Sequence, residues 1–338
     1  MRGFGRSSRI VRAQICCTLS GLVLASAGCG PRGLKITPVP VDRTLKERVL
    51  MRGEGFSPPK IALIDVEGVL MNADTGGLLE EGEHPVSLLL EKLHKAEADE
   101  RVKGVVLRIN SPGGSVTASD LMYQEIQGLK ARTGKPIVAV FMDVAASGGY
   151  YVACACDEII AHRTSVTGSI GVVMQMFTVY GTMEKIGMTA DAIKSGPNKD
   201  AGSPFRSMEA AERELFQEMV NEFYEQFLRI VTKGRPQLTP ERIRELADGR
   251  VFTAEQALEA GLVDRIGTLR DALAVCAERT GLESPQVVVY HRPLAWKPNI
   301  YAQSPYPGAQ RDHKLVLALP SWMTSPAPRF MYLWAPGH

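Results

Sequence analysis

The sequence predicts an α/β protein built on a parallel sheet with helices over both faces. Three observations carry that expectation. Residues 60–66 (KIALIDV), 104–109 (GVVLRI) and 136–142 (PIVAVFM) are largely apolar at consecutive rather than alternate positions, as strands covered on both faces are. Helical patterns separate these runs, giving a strand–helix–strand–helix order. Glycine pairs stand beyond two of the runs, at the strand ends where open parallel sheets hold their ligands.

The elements follow in chain order. Strand 60–66 opens the domain. A helix over about 85–99 places Leu89, Leu90 and Leu93 on one face. Strand 104–109 leads through Gly113 and Gly114 into a second helix, where Thr117 and Asp120 have capping-box spacing. Strand 136–142 leads to a short helix from Ser147 to about Cys156 and a strand over 158–162. Residues 174–177 and 189–193 read as short strands. A long helix spans about 207–233, because Leu215, Phe216, Met219, Val220, Phe223, Phe227 and Val231 recur at threes and fours, with Gly234 as its stop. Thr239-Pro240, and Thr253 with Gln256, start two smaller helices, and Gly261 ends the second. A last helix covers 268–279, and a strand over 286–290 leads into a Pro-rich tail.

Composition narrows the class. The chain has 338 residues, 45% of them hydrophobic, enough for a large core and against disorder. Lys and Arg number 39 against 37 Asp and Glu, a balance that gives no reason to expect nucleic acid as the main partner. Six scattered cysteines do not make a disulfide scaffold or a zinc site. Cys154, Cys156 and Cys276 read as small buried apolar residues. No cofactor and no metal is implied by any motif.

The N-terminus reads as an address. No acidic residue precedes Asp42, and Arg2, Arg6, Arg9 and Arg12 lead into an apolar stretch over 15–27. That is the layout of a secretory signal, and it is short for a membrane span. Ala25-Ser26-Ala27-Gly28-Cys29 allows three outcomes: lipidation at Cys29, ordinary cleavage after Ala27, or retention as an anchor. The domain plan is then 1–29 signal or anchor, 30–57 linker, 58–280 a single catalytic domain, and 281–338 a C-terminal extension.

Two turns at strand ends carry candidate chemistry. Asn110-Ser111-Pro112-Gly113-Gly114 exposes backbone N–H groups suited to an anion or an oxyanion; the plain alternative is a tight turn. Ala145-Ala146-Ser147-Gly148-Gly149 puts a serine at a strand-to-helix corner, with the Gly148 N–H beside it. Ser147 is there either a nucleophile or an ordinary helix N-cap. None of the six histidines sits in a motif-like turn, and His162, the nearest in sequence, reads as a packing or capping residue. Lys194 and Lys199 bracket a Gly-Pro turn. A lysine serves as a base only when neutral, so its reference pKa of about 10.4 must be lowered.

Taken in order, RINSPGG, VAASGGYY, TGSIGV, KSGPNKD and GRVFTAEQALEAGLVDRIG resemble the motifs of signal peptide peptidase A, the protease IV family, in its single-length form. The resemblance covers about 58–280. It implies a membrane-associated serine protease of the Clp-protease/crotonase fold, which the N-terminal segment would place on the extracytoplasmic side of the cell envelope. Carried over by motif, Ser147 is the nucleophile, Lys199 the general base and Ser169 the hydroxyl that orients the lysine amine. Gly114 and Gly148 supply the oxyanion-hole N–H groups, and Lys194 is structural. The segments near SPGG and TGSIGV would hold an extended peptide by added β pairing. The resemblance further implies a homo-oligomeric ring with Ser147 and Lys199 meeting across a subunit boundary. Its substrates would be short apolar or unfolded peptides such as signal-peptide remnants. Rival readings are an acyl-CoA enzyme of the crotonase type, a cytosolic Ser-His-Asp protease of the Clp type, and an inactive exported scaffold.

Overall fold

The computed structural model describes residues 44–73, 83–293, 299–301 and 329–334. The address segment with Cys29 and most of the tail lie outside the described residues. Among the described residues no helix is long and apolar enough to cross a membrane.

In chain order the strands are β1 (Lys46–Met51), β2 (Lys60–Glu67), β3 (Val102–Ser111), β4 (Gly113–Ser115), β5 (Ile137–Ala146), β6 (Glu158–Ala161), β7 (Val166–Gly168), β8 (Val173–Gln175), β9 (Val251–Thr253), β10 (Arg265–Ile266), β11 (Gln286–His291) and β12 (Arg329–Leu333). The helices are α1 (Pro85–Ala98), α2 (Val116–Thr133), α3 (Gly148–Ala153), α4 (Tyr180–Lys185), α5 (Ala210–Gly234), α6 (Pro240–Leu246), α7 (Ala254–Glu259) and α8 (Leu269–Thr280). The main sheet runs β1-β11-β2-β3-β5-β6-β10. Along that path it is parallel except at the β1 edge, where β1 lies antiparallel to β11; β7 joins β5 in parallel and β9 joins β7 antiparallel. Thus Lys46–Met51, inside the stretch read as linker, forms the edge strand of the domain sheet.

The consecutive apolar runs are explained by a core on each face. Ala62, Ile64 and Val66 of β2, Val105, Leu107 and Ile109 of β3, and Ile137, Ala139 and Phe141 of β5 pack under α1, α2 and α3. The alternate residues Ile61, Leu63, Val106, Val138 and Val140 face α8 through Leu269, Leu273 and Cys276. Side chains buried this way contribute about 1.5–3 kcal/mol each before chain entropy is subtracted. Arg108 breaks the apolar rule on the α8 face. It is buried, stands in register with Asp65 of β2, pairs with that carboxylate at 2.6 Å and donates to the Ile300 carbonyl. Removing either partner would strand a buried charge. The cysteines behave as expected: burial pushes the Cys154 and Cys276 thiols up to about 12.

Some local expectations are corrected. The cap of α2 is Ser115, whose hydroxyl accepts from Ala118 N at 3.2 Å, so Thr117 and Asp120 form no capping box. Asp120 instead accepts from the Tyr151 hydroxyl at 2.7 Å. Residues 189–193 form no strand, because no neighbouring strand pairs with them and Ile193 is fully exposed. In α5 the apolar stripe is only half covered. Phe227, Leu228 and Val231 are buried, whereas Met219 near the other end is exposed. The start signals at Thr239 and at Thr253 with Gln256 are observed as read.

Candidate active site

The site grows from the ends of β3 and β5. At the end of β3, Asn110 reaches across to β5, accepting from Val144 N at 3.2 Å. The Ser111 hydroxyl donates to Gly68 O at 2.6 Å and accepts from Gly113 N at 3.1 Å. These bonds fix the turn that presents Gly113 and Gly114. Gly114 is boxed in by Leu70: a Cβ added there would lie 1.9 Å from the Leu70 carbonyl oxygen. Leu70 N in turn donates to Gly113 O, and Ser115 N to Leu70 O, both at 2.8 Å. Any side chain at 114 must therefore move the backbone.

At the end of β5 the chain turns through Ser147 into α3. Ser147 takes φ 53° and ψ −115°, a left-handed conformation that costs a non-glycine residue energy. It occupies the N-cap position, but its hydroxyl makes no cap bond. The capping alternative for Ser147 therefore fails, and the hydroxyl is left free for other work. The two glycine turns meet here. A Cβ added to Gly148 would lie 3.1 Å from Gly114 N, and one on Gly113 would lie 2.6 Å from Gly148 N. Two backbone nitrogens thus stand side by side next to a serine hydroxyl. Ser147 is only 1% exposed.

Ser169 belongs to the same corner. β7 pairs with β5, opposing Gly168 to Ala146, and Ser147 N donates to Gly168 O at 2.7 Å. Ser169 also has a positive φ, 49°, and its N–H donates to Arg250 O at 2.7 Å. It lines a cleft of about 480 Å³ together with Val173, Val220, Tyr224, Asp248 and Leu333. Arg250 holds the neighbouring Asp248 carboxyl down at about 2, chiefly through their hydrogen bond, so that carboxylate is already committed.

Lys199 is placed differently. It lies exposed in a 3₁₀ turn, Pro197–Asp200. Among the described residues, the hydrogen bonds of residues 177–207 stay within that stretch or go to the first turn of α5. No hydrogen bond joins Lys199 to Ser147 or Ser169 of its own chain. Lys194 is tied down: its ammonium lies 2.6 Å from Asp200 Oδ1. The stretch also exposes Phe177, Val179, Tyr180, Ile186, Met188 and Phe205. His162 contacts Thr164 at 2.9 Å, a local turn contact consistent with a capping role.

The segments beside SPGG and TGSIGV, expected to pair with an extended peptide, are β4 and β8, and a strand of the same chain lies between them. β12 is antiparallel to β4 on one side and to β8 on the other. Tyr332 stands opposite Gly114, and Trp334 N donates to Pro112 O at 2.8 Å. The fully buried Tyr332 ring stacks on Tyr151 at 5.1 Å and tilts against Phe227 at 4.7 Å, while its hydroxyl donates to Phe223 O at 2.8 Å. The β partners of this groove were legible in the motifs. Its aromatic wall, drawn from α3 and α5, was not.

A strained serine at a strand-to-helix corner, two glycine turns meeting beside it and a β-strand laid against one of them are features a serine peptidase uses. Comparison with known proteins agrees. Residues 130–283 match peptidase family S49. A protein of Enterococcus faecium named as a signal peptide peptidase SppA is 37% identical over 237 residues, covering 70% of this chain and 68% of that protein. Protease 4 of Haemophilus influenzae is 36% identical over 216 residues, covering 64% of this chain and 34% of that longer protein. The chloroplastic serine protease SPPA of Arabidopsis thaliana is 37% identical over 216 residues, 63% of this chain and 32% of that protein. The chain belongs to peptidase family S49, the signal peptide peptidase A family.

Proposed function

We propose that this chain is a membrane-associated serine endopeptidase of the Clp-protease/crotonase fold that uses a Ser147–Lys199 dyad. Neutral Lys199 takes the proton from Ser147 as Oγ bonds to the peptide carbonyl carbon. Ser169 orients the lysine amine. The N–H groups of Gly114 and Gly148 hold the oxyanion; one such donor is worth about 2.7–4 kcal/mol in related chemistry. The lysine ammonium then gives its proton to the leaving amine as the C–N bond breaks, and water hydrolyses the acyl-enzyme. The observation that carries this reading is the Ser147 corner: a strained serine with no cap bond, at the place where the two glycine turns meet.

The groove supports an extended peptide as substrate, since β12 already shows how a strand lies against Gly114. Apolar peptides, including signal-peptide remnants, fit the aromatic wall that takes Tyr332. An extracytoplasmic place at the membrane follows from the basic and apolar N-terminal segment. The ring implied by the family resemblance is supported by Lys199, which lies exposed in a stretch rich in exposed apolar side chains and has no hydrogen bond to its own Ser147. Such a lysine completes the site of a neighbouring copy.

The direct test is labelling with a serine-reactive phosphonate. The wild-type chain is expected to take up one label at Ser147, and Ser147→Ala none. Undiminished labelling of Ser147→Ala would remove the nucleophile assignment. A second expectation concerns the groove. Deleting the chain from residue 302 onward removes β12, so KM for a short apolar peptide should fall while kcat holds. The drop is roughly tenfold if β12 fills the groove nine-tenths of the time. An unchanged KM would show that β12 does not compete with substrate.

A further inference from the structure

The turn that carries Lys199 is anchored by an arginine outside every motif. The Arg206 guanidinium spans two carboxylates. Its Nε donates to Asp200 Oδ2 and its Nη2 to Asp200 Oδ1, each at 2.9 Å. Its Nη1 donates to Glu212 Oε2 at 2.9 Å, and its Nη2 also donates to Glu212 Oε1. Glu212 is buried and fixed, since its carboxylate accepts Glu209 N at 3.0 Å in the capping box that starts α5. The remaining side of Asp200 is taken by Lys194. Asp200, the immediate neighbour of Lys199, is therefore saturated by two other cations. Among the described residues Lys199 has no ion pair.

We propose that Arg206 is a positioning residue for the lysine base: it holds the Lys199 turn against α5 and keeps the Asp200 carboxylate away from the Lys199 ammonium. The inference rests on Lys199 being the base. A lysine base must lose its proton. An opposite charge within about 4–6 Å favours the charged form and shifts a pKa by about 1–3 units. The Asp200 carboxyl is held well below the usual carboxylate range, first by Arg206 and then by Lys194. It is ionised at any working pH, so what matters is which cation it pairs with. The other charged groups on the elements packed here are Asp191 in the same stretch, Glu184 and Lys185 of α4, and Glu209 and Arg213 at the start of α5. None of them bonds to the Asp200 side chain.

The test is the pH profile of kcat/KM for the full chain carrying Arg206→Gln, Asp200→Asn or both. With Arg206→Gln, Asp200 is released toward Lys199, so the rising limb should move up by about one pH unit. At a fixed pH on that limb the rate then falls roughly tenfold, mostly in kcat. Asp200→Asn leaves Lys194 without its carboxylate and Arg206 with Glu212 alone, and should move the limb down. The double variant, lacking both charges, should return close to the wild-type limb, and Arg206→Lys should keep most of the activity. Shifts of the same sign in both single variants, or a double variant displaced as far as Arg206→Gln, would reduce Arg206 to a structural brace and overturn the proposal. Circular dichroism reports whether each variant is folded. Normal turnover by Lys199→Ala would instead sink the base assignment itself, a result separable from the Arg206 profiles.

Discussion

Ser147→Ala and Lys199→Ala should each lower kcat for a peptide substrate by roughly 10⁴-fold or more, and the double variant should be no worse than either single one. The two side chains act on one proton in one step, so losing either removes the step. What survives is the contribution of the Gly114 and Gly148 nitrogens and of substrate binding. The fold should persist in both variants. Ser147 makes its backbone bond to Gly168 O through N–H rather than through its side chain, and Lys199 is exposed. Relief of the strained φ at 147 does not follow from alanine, which shares the penalty. Steady-state kinetics with unchanged circular dichroism check this. Near-normal turnover by Lys199→Ala together with loss of activity in Lys194→Ala would exchange the roles of the two lysines. The structure argues against that exchange, because Lys194 is already spent on Asp200.

What could be read from the sequence follows from how local each signal is. β2, β3 and β5 were legible because burial on both faces writes itself as consecutive apolar residues. β1 was not: Lys46–Met51 is a mostly exposed edge strand of mixed polarity, and only its pairing with β11 makes it a strand. β12 was hidden for the same reason, since its partners lie more than a hundred residues away in β4 and β8. Arg108 sat unnoticed in an apolar run, because its compensating Asp65 belongs to another strand.

The site divides in the same way. Gly113, Gly114, Ser147 and Gly148 stood out as turn residues at strand ends. That Ser147 has a positive φ and makes no cap bond could be seen only in the structure, and its role as nucleophile came through resemblance. Lys199 came only through resemblance, because nothing in the local pattern around a solvent-facing lysine marks it as a base. Arg206 carried no signal at all. Its meaning lies in two carboxylates brought together by the turn into α5.

We propose that one active site takes its serine and its lysine from two copies of the chain. The exposed Lys199 turn, the exposed apolar residues around it and the half-covered stripe of α5 form the surface that we propose meets another copy. A homo-oligomer of either inactive variant alone lacks one of the two groups at every boundary. When Ser147→Ala and Lys199→Ala chains are dissociated, mixed and reassembled, some boundaries bring a wild-type Ser147 against a wild-type Lys199. In a ring assembled at random from equal amounts, about one boundary in four does so, and hydrolysis should return to roughly a quarter of the wild-type rate per chain. The measurement is peptide hydrolysis by the mixture, with mixed oligomers verified by native mass spectrometry. Recovered activity is the predicted result. Mixed oligomers that form and stay inactive would place the dyad within a single chain and contradict the account.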